Sequence, residues 1–189
     1  MNWYEIVGVV FGLVCVWMTT KQNIWCWPIG IVSVLSFIVV FYQANLFPDM
    51  FLHVIYFWLS IYGWMKWRFG MTKWTQSYGK LPIINVKKME LISWLILIPL
   101  TSMSIGWIFD THTQSSAPYI DSFIFVVSLV AQYLMARKIL QSWYFWVVVD
   151  IVAIGLYESR GLHLTSVLYL VYLFLCIRGY FQWKDSKEV

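Results

Sequence analysis

Long apolar runs are the feature that most constrains the fold of this chain. Several stretches of roughly 20 residues carry almost no charge and are separated by short polar segments. Of the 189 residues, 61% are apolar and only 12% are charged, about half the charged fraction of an average water-soluble domain. Water therefore cannot be the main solvent, and the runs predict an all-α integral membrane protein embedded in a lipid bilayer.

The hydropathy pattern predicts seven transmembrane helices. They cover residues 3–20, 26–42, 47–66, 91–109, 119–136, 142–157 and 162–183. The first run lacks the basic flank and cleavage site of a signal peptide, so we expect it to be a helix of the mature chain. Of the thirteen Lys and Arg residues, all except Arg160 fall on one side of this arrangement. The positive-inside rule then places the N-terminus outside and the C-terminus in the cytoplasm, and it explains the basic residues without a nucleic acid partner.

A shift of the sequence by 116 residues aligns the first three spans with the last three without a gap. The shift pairs Trp27 with Trp143, Tyr56 with Tyr172, Gly63 with Gly179 and Trp67 with Trp183. A unit of three transmembrane helices starts on one face of the membrane and ends on the other. One more helix must therefore cross the membrane before a second unit can begin on the same face as the first. The predicted architecture is therefore three plus one plus three: a repeat at 3–67, a cytoplasmic loop with a linker helix at 68–118, and a repeat at 119–183. Parallel repeats of this kind occur in SWEET-type transporters.

Four short motifs, three of them rich in tryptophan, stand out along the chain. They lie at Asn23–Gly30, Tyr62–Trp67, Ala131–Lys138 and Trp143–Asp150, and Gly179 and Trp183 close the last span. Together, over residues 5 to 183, they resemble the PnuC family of bacterial nicotinamide riboside transporters. The resemblance implies a SWEET-like fold in the bacterial inner membrane, as a homotrimer. It also implies facilitated diffusion of a phosphate-free vitamin precursor that a cytoplasmic kinase then traps. Relatives are linked to thiamine and other vitamins, so the implied substrate is nicotinamide riboside or a similar vitamin.

Asp150 lies near the predicted bilayer midplane, about 12 Å of helical rise beyond the basic turn at 137–138. A bare carboxylate is costly there, and such residues usually face the bundle interior or a wet cavity. Trp143, Trp146 and Asp150 are spaced i, i+3, i+7, which places them on one helical face. Indole faces and a carboxylate stabilise a pyridinium cation, and thiamine would satisfy the same site. The alternative for Asp150 is a hydrogen bond that only ties two helices together.

Five further residues complete the predicted substrate site: Gln132, Tyr169, Tyr172, Trp27 and Tyr56. The Gln132 amide either binds a ribose or carboxamide or joins two helices. Tyr169 and Tyr172 share a face of the seventh span, and Tyr56 is the repeat mate of Tyr172. The tryptophans near helix ends are predicted to be interfacial anchors. These are Trp3, Trp25, Trp64, Trp67, Trp107 and Trp183.

Other functional classes lack their signatures. Cys15, Cys26 and Cys176 form no CxxC pair, and the sequence contains no HExxH, GxSxG or nucleotide-binding loop. The last span contains no lysine between Leu162 and Trp183 for a retinal Schiff base. We therefore predict a transporter without catalytic residues, metal or cofactor, with a seven-helix receptor and an intramembrane enzyme as the competing classes.

Overall fold

The structure is a computed structural model that describes residues 3–44, 47–70, 81–112 and 116–188, and these residues form seven α-helices. The helices are α1 (Trp3–Thr20), α2 (Cys26–Gln43), α3 (Phe47–Phe69), α4 (Lys88–His112), α5 (Pro118–Ala136), α6 (Ser142–Ser159) and α7 (His163–Glu188). The predicted all-α fold with seven helices is confirmed. Within the predicted basic loop, residues 71–80 lie outside the described residues.

Helix bounds differ from the predicted spans by at most five residues at either end. α4 begins at Lys88 and ends at His112, three residues beyond the predicted span on each side, and α7 continues to Glu188 instead of ending at 183. Hydropathy reports the part of a helix that lies in lipid, whereas the helix itself continues as long as its backbone hydrogen bonds persist. The polar first and last turns therefore fell outside the predicted ranges.

Five of the seven helices, α1, α2, α4, α5 and α7, are long and apolar enough to cross a membrane. The other two, α3 with 23 residues and α6 with 18, are long enough but have a lower mean hydropathy than a candidate span requires. His53 and Lys66 lower the mean hydropathy of α3, and Asp150 and Glu158 lower that of α6. Both helices nevertheless pack between helices that qualify as spans.

Six helices form a closed ring. Its order is α1, α2, α3, α5, α6, α7, and contact between α7 and α1 closes it. Among the described helices, α4 packs against α5 alone and lies outside the ring. The first three and last three helices meet at two places, α3 with α5 and α7 with α1. The ring thus turns one face of each of its six helices toward a common central axis.

The two halves of the ring have equivalent helix contacts and equivalent turns. Exchanging α1 with α5, α2 with α6 and α3 with α7 leaves the set of helix contacts in the ring unchanged. In the described part of the chain, the two non-glycine residues with positive φ are Gln22 (56°) and Lys138 (60°), which are 116 residues apart. Each lies in the turn that joins the first two helices of its half, where a left-handed residue commonly ends a helix. The division at 3–67, 68–118 and 119–183 stays a prediction.

Four indole rings pack together where the basic turns lie, at what we call the basic end of the ring. Trp27 meets Trp67 edge-on with ring centroids 5.4 Å apart, and Trp143 meets Trp183 in the same way at 5.4 Å. The two pairs join through Trp67 and Trp183 at 5.8 Å. All four side chains are buried. This tryptophan cluster fills the ring at its basic end.

Two glycines let the Trp27 and Trp143 indoles lie against the neighbouring helices. A Cβ added at Gly63 would come within 2.3 Å of the Trp27 ring, and one at Gly179 within 2.5 Å of the Trp143 ring. Atoms cannot approach so closely, so any larger residue would displace an indole. The shift that pairs the glycines also pairs the tryptophans, so both halves use the same close contact.

The prediction that Trp67 and Trp183 are interfacial anchors is wrong. Trp183 is fully buried, and its indole N–H donates to the Thr19 carbonyl at 3.0 Å. Both rings turn inward because the glycine contacts bring a partner indole within reach of each. Trp3, Trp25 and Trp107, by contrast, are exposed at helix ends.

Residues 81–87, which we call the strap, pack against the turn between α5 and α6. Ile84 donates its N–H to the Lys138 carbonyl at 3.1 Å, and its own carbonyl accepts from Leu140 at 2.9 Å. Lys138 is buried, and its ammonium donates to the Leu81 carbonyl at 2.7 Å and lies 4.9 Å above the Trp67 ring. The strap therefore fixes the turn that leads into α6.

We expect Gly179→Ala to lower the stability of the protein, because the added methyl group must displace the Trp143 indole. The cost should be about 1–3 kcal/mol, the usual range for overpacking a filled site. Gly155→Ala is the matched control, since a Cβ at this helical glycine meets nothing within 4 Å. Thermal unfolding of both purified variants measures the difference. Equal melting temperatures would contradict the close-contact role of Gly179.

Candidate functional site

The Asp150 carboxylate lies inside the ring with little to balance its charge. Its residue is 2% exposed, and its Oδ2 atom has no hydrogen-bond partner among the described residues. The Cys176 thiol of α7 is within hydrogen-bonding reach. A thiol is a weak donor, so the carboxylate keeps most of its capacity to accept hydrogen bonds. Buried polar atoms usually have hydrogen-bond partners, so this carboxylate oxygen marks a candidate point for binding a solute.

Three tyrosines from two helices lie near Asp150. Tyr56 of α3, Tyr169 of α7 and Tyr172 of α7 all lie close enough to interact electrostatically with its carboxylate. The Tyr169 and Tyr172 rings are 6.0 Å apart and nearly perpendicular. The structure thus brings together four of the eight predicted site residues, and both halves of the ring contribute to the group.

Two of these tyrosines also reach across the contacts between the halves. The Tyr56 hydroxyl is within hydrogen-bonding reach of Ser128 on α5. The Tyr172 hydroxyl lies so close to Gly12 on α1 that a Cβ there would come within 2.7 Å of it. Sequence analysis missed Gly12 and Ser128, although they are 116 residues apart and so are paired by the same shift as the two tyrosines. That shift was the signal that could have found them.

Trp27 and Trp143 are not part of the group around Asp150. They belong to the tryptophan cluster, and Trp143 lies about 10 Å of helical rise from Asp150. Cys176 connects the two regions, because it packs in the same core as both indoles and also reaches Asp150. Within the described residues, the indole N–H groups of Trp27, Trp67 and Trp143 are buried without a hydrogen-bond acceptor. The role of Trp27 and Trp143 in substrate binding stays a prediction.

Trp146 and Gln132 are both half-buried. Trp146 lies one turn before Asp150 on α6 and packs against the core around the tryptophan cluster and against the core between α4, α5 and α6. The Gln132 amide on α5 makes no hydrogen bond to any part of the chain that the structure describes. Both side chains keep an exposed fraction, and their role in substrate binding likewise stays a prediction.

An ion pair lies at the opposite end of the ring from the tryptophan cluster. Arg160, which follows α6, donates to Asp121 of α5 at 2.8 Å and to the Ser116 hydroxyl at 3.2 Å. Asp49 of α3 also lies close enough to interact electrostatically with the guanidinium. The hydrogen bond that Arg160 donates to Asp121 raises the pKa of Arg160 above its ordinary value. Acidic partners therefore hold this guanidinium in place.

Among the described residues, no group of three His, Cys, Asp or Glu side chains is arranged to hold a metal ion. The group around Asp150 consists of a carboxylate, phenol hydroxyls, a thiol and aromatic faces. Such a group favours cations and hydroxyl-bearing solutes, and it offers no charged donor for an anion.

Comparison with known proteins agrees with this geometry. A curated relative named nicotinamide riboside transporter PnuC, from Escherichia coli strain K12, is 26% identical over 212 aligned residues, which cover 100% of this chain and 87% of the relative. The protein of that name from Neisseria mucosa is 28% identical, with 96% of this chain and 72% of the relative covered. The riboflavin/roseoflavin transporter RibM from Streptomyces davaonensis is 25% identical, with 99% and 89% covered.

A solved structure described as the crystal structure of the vitamin B3 transporter PnuC matches with a TM-score of 0.77. The two chains are 27% identical, and the match covers 98% of this chain and 82% of the other. These proteins are transporters and not enzymes, in agreement with the predicted class. A sequence profile described as nicotinamide mononucleotide transporter matches residues 2–185. The chain therefore belongs to the nicotinamide mononucleotide transporter family.

Proposed function

We propose that this transporter carries nicotinamide riboside and binds it in the ring beside Asp150. The observation that carries the proposal is the buried Asp150 carboxylate, which has one oxygen without a partner and three tyrosines around it. The ring of six helices surrounds this point, and both halves supply residues to it. Relatives named as nicotinamide riboside transporters support the substrate class.

The charge of the site favours a nucleoside over a nucleotide. Nicotinamide riboside carries a cationic pyridinium ring, which a carboxylate and aromatic faces stabilise together. A mononucleotide adds a phosphate, which proteins usually bind with Arg or Lys. Near Asp150 the described residues supply tyrosines and a thiol, and no basic side chain is among them. A phosphate at this site would meet a carboxylate without a compensating cation.

The tyrosine hydroxyls and the Gln132 amide suit the remaining parts of the solute. Hydroxyl and amide groups pair with the ribose hydroxyls and the carboxamide of nicotinamide riboside. Trp146 supplies an indole one turn from Asp150, where it can lie against the pyridinium ring. In this proposal, Trp27 and Trp143 line the side of the site that faces the basic end of the ring.

Two other vitamins fit parts of this site. Thiamine also carries a cationic ring, so its charge alone does not distinguish it from nicotinamide riboside. Riboflavin is the solute in the name of the relative RibM, which is about as similar to this chain as the PnuC relatives are. Riboflavin is neutral and gains little from a carboxylate, so the charge of Asp150 favours the cations.

We further propose that all seven helices cross a bacterial inner membrane, with the basic end in the cytoplasm. The distribution of Lys and Arg supports this orientation, since Arg160 is the one Lys or Arg among the described residues that lies at the other end. The matched contacts of the two halves support a parallel three-plus-one-plus-three repeat whose halves move relative to each other at α3–α5 and α7–α1. Tyr56 and Tyr172 bridge these two contacts and would couple the movement to the bound solute. A homotrimer and trapping by a cytoplasmic kinase complete the proposal.

Substitution of Asp150 tests the site. Asp150→Asn should weaken nicotinamide riboside binding by roughly tenfold and Asp150→Leu by roughly a hundredfold, because hydrogen bonds to charged groups contribute roughly 1.5–3 kcal/mol. Asp185→Asn, at the exposed end of α7, is the control and should keep the wild-type affinity. Calorimetric titration of the folded variants gives the affinities. If Asp150 only joins helices, both substitutions will lower the melting temperature and leave the affinity of the folded protein unchanged.

The energetics of uptake test the mechanism. Coupling to a proton or sodium gradient normally uses several ionisable groups within the membrane, and Asp150 has no acidic or basic neighbour among the described residues around it. We therefore expect proteoliposomes to take up nicotinamide riboside only until the inside and outside concentrations are equal. Adding the kinase and ATP inside should then raise total uptake. Accumulation driven by an imposed proton or sodium gradient would contradict facilitated diffusion.

Labelling of single cysteines tests the orientation. Cysteines introduced at Lys87 and Ser186 should be protected from an impermeant thiol reagent in intact cells, whereas one at His112 should react. All three positions are exposed, whereas the native Cys26 and Cys176 are buried and Cys15 is half-buried. The protein without an introduced cysteine measures the background labelling. The reverse pattern would overturn the proposed orientation.

A further inference from the structure

A polar cleft of about 320 Å³ lies at the basic end of the protein, away from Asp150. It is formed by the strap, the start of α6 and the last turns of α7. Its polar lining consists of Asn85, Gln141, Tyr144, Tyr180, Lys184 and Lys187. Tyr180, Lys184 and Lys187 are spaced i, i+4, i+7, so α7 presents all three on one face.

The cleft presents hydrogen-bond donors to whatever occupies it. The Tyr144 hydroxyl donates to the Tyr180 hydroxyl at 2.7 Å, so the proton of Tyr180 is left to bind a ligand. The Gln141 side-chain carbonyl already accepts from the Val86 N–H at 2.9 Å. Its amide N–H₂ donates to Asn85 at 3.3 Å, which orients both amides. With two ammonium groups added and no acidic residue in the lining, the cleft suits an anion.

The ammonium groups of Lys184 and Lys187 form no ion pair within the described part of the chain. At the two ends of the molecule, by comparison, Arg137 is paired with Glu90 and Arg160 with Asp121. Two lysines on one helical face repel each other unless a counterion lies between them. The cleft therefore has positive charge that the described side chains do not balance.

The cleft lies where the lipid-facing surface ends. On α6, Tyr144, Val148 and Ile151 are exposed at spacings of four and three residues, so an apolar stripe starts at the cleft. On α7, Phe174, Ile177 and Phe181 form a second exposed stripe, and Lys184 follows three residues after its last member. Apolar stripes of this kind face acyl chains, and lysines that follow them reach the level of the lipid phosphates.

We infer that this cleft binds the phosphate of an anionic phospholipid headgroup. Lys184 and Lys187 supply the charge, Tyr180 donates a hydroxyl proton, and the α6 and α7 stripes lie beside the acyl chains. A lipid in this position contacts the strap through Asn85 and the second half of the ring through α6 and α7. It would therefore strengthen the contact that holds the strap against the turn between α5 and α6. The inference does not depend on which solute the protein carries.

Thermal unfolding of the full-length protein in a neutral detergent tests this site. Short-chain phosphatidylglycerol should raise the melting temperature in a saturable way, whereas phosphatidylcholine of the same chain length should not. Lys184→Gln with Lys187→Gln should weaken the apparent lipid affinity about thirtyfold, because each lysine contributes about 1 kcal/mol near anionic lipid. Tyr180→Phe keeps both charges and the ring, and it should weaken the affinity by about tenfold. Lys87→Gln with Lys88→Gln removes equal charge from exposed positions outside the cleft and should keep the wild-type response.

Three outcomes would overturn the inference. Equal weakening in the two double variants would mean that lipid responds to diffuse positive charge. An equal shift with phosphatidylcholine would mean that the acyl chains alone act. An equal shift with inorganic phosphate would assign the cleft to a soluble phosphate. If the Lys184 and Lys187 variant does not fold, Tyr180→Phe decides, since an unchanged lipid affinity in that variant contradicts the site.

Discussion

Close contact between two glycines and two indoles holds the ring in its observed form. Trp27 lies on Gly63 and Trp143 lies on Gly179, so α2 approaches α3, and α6 approaches α7, in the same way in each half. Association of helices in lipid depends on packing, because lipid chains are as apolar as the side chains themselves. The same contacts direct the two indoles toward Trp67 and Trp183. The resulting cluster closes the basic end and leaves the polar group around Asp150 further along the axis.

Asp150 differs from the acidic residues that form ion pairs at the two ends of the molecule. Glu90 and Asp121 each have an arginine partner, whereas Asp150 has a thiol and three tyrosines nearby. Burying a carboxylate without a cationic partner costs several kcal/mol. A cationic solute recovers part of this cost when it binds, so the missing basic partner is consistent with a site that the substrate itself completes. An anionic solute would add to the cost.

The sequence predicted the elements and part of the site. Apolar runs located the seven helices, and the 116-residue shift related the tryptophans and glycines whose contacts the structure shows. A carboxylate near the predicted bilayer midplane identified Asp150, and the spacing of Tyr169 and Tyr172 placed them on one face. The inward direction of the Trp67 and Trp183 side chains could not be predicted, because the rotation of a helix about its own axis depends on the helices that pack against it. α7 is apolar on most sides, so its own pattern does not indicate which face points inward.

The packing of the strap against the turn between α5 and α6 could not be predicted either. Leu81, Ile83 and Ile84 are apolar, but the segment is too short for a span, and hydropathy does not indicate what an extended segment packs against. Its hydrogen bonds join residues more than 50 positions apart. Lys138 looked like a signal of topology and is in fact buried between the strap and Trp67. Contacts between residues so far apart depend on how the helices assemble into the ring, and the local sequence pattern does not specify that assembly.

Calorimetric titration of the wild-type protein with three related solutes tests the central claim most directly. The solutes are nicotinamide riboside, its neutral form with a reduced ring, and nicotinamide mononucleotide, compared at one ionic strength. The account predicts that nicotinamide riboside binds tightest and that loss of the ring charge weakens binding by roughly ten- to thirtyfold. It also predicts that the mononucleotide binds more weakly than the riboside, because its phosphate meets Asp150. Equal affinity for the cation and its neutral form, or tighter binding of the mononucleotide, would contradict the assignment of Asp150 to a cationic, phosphate-free solute.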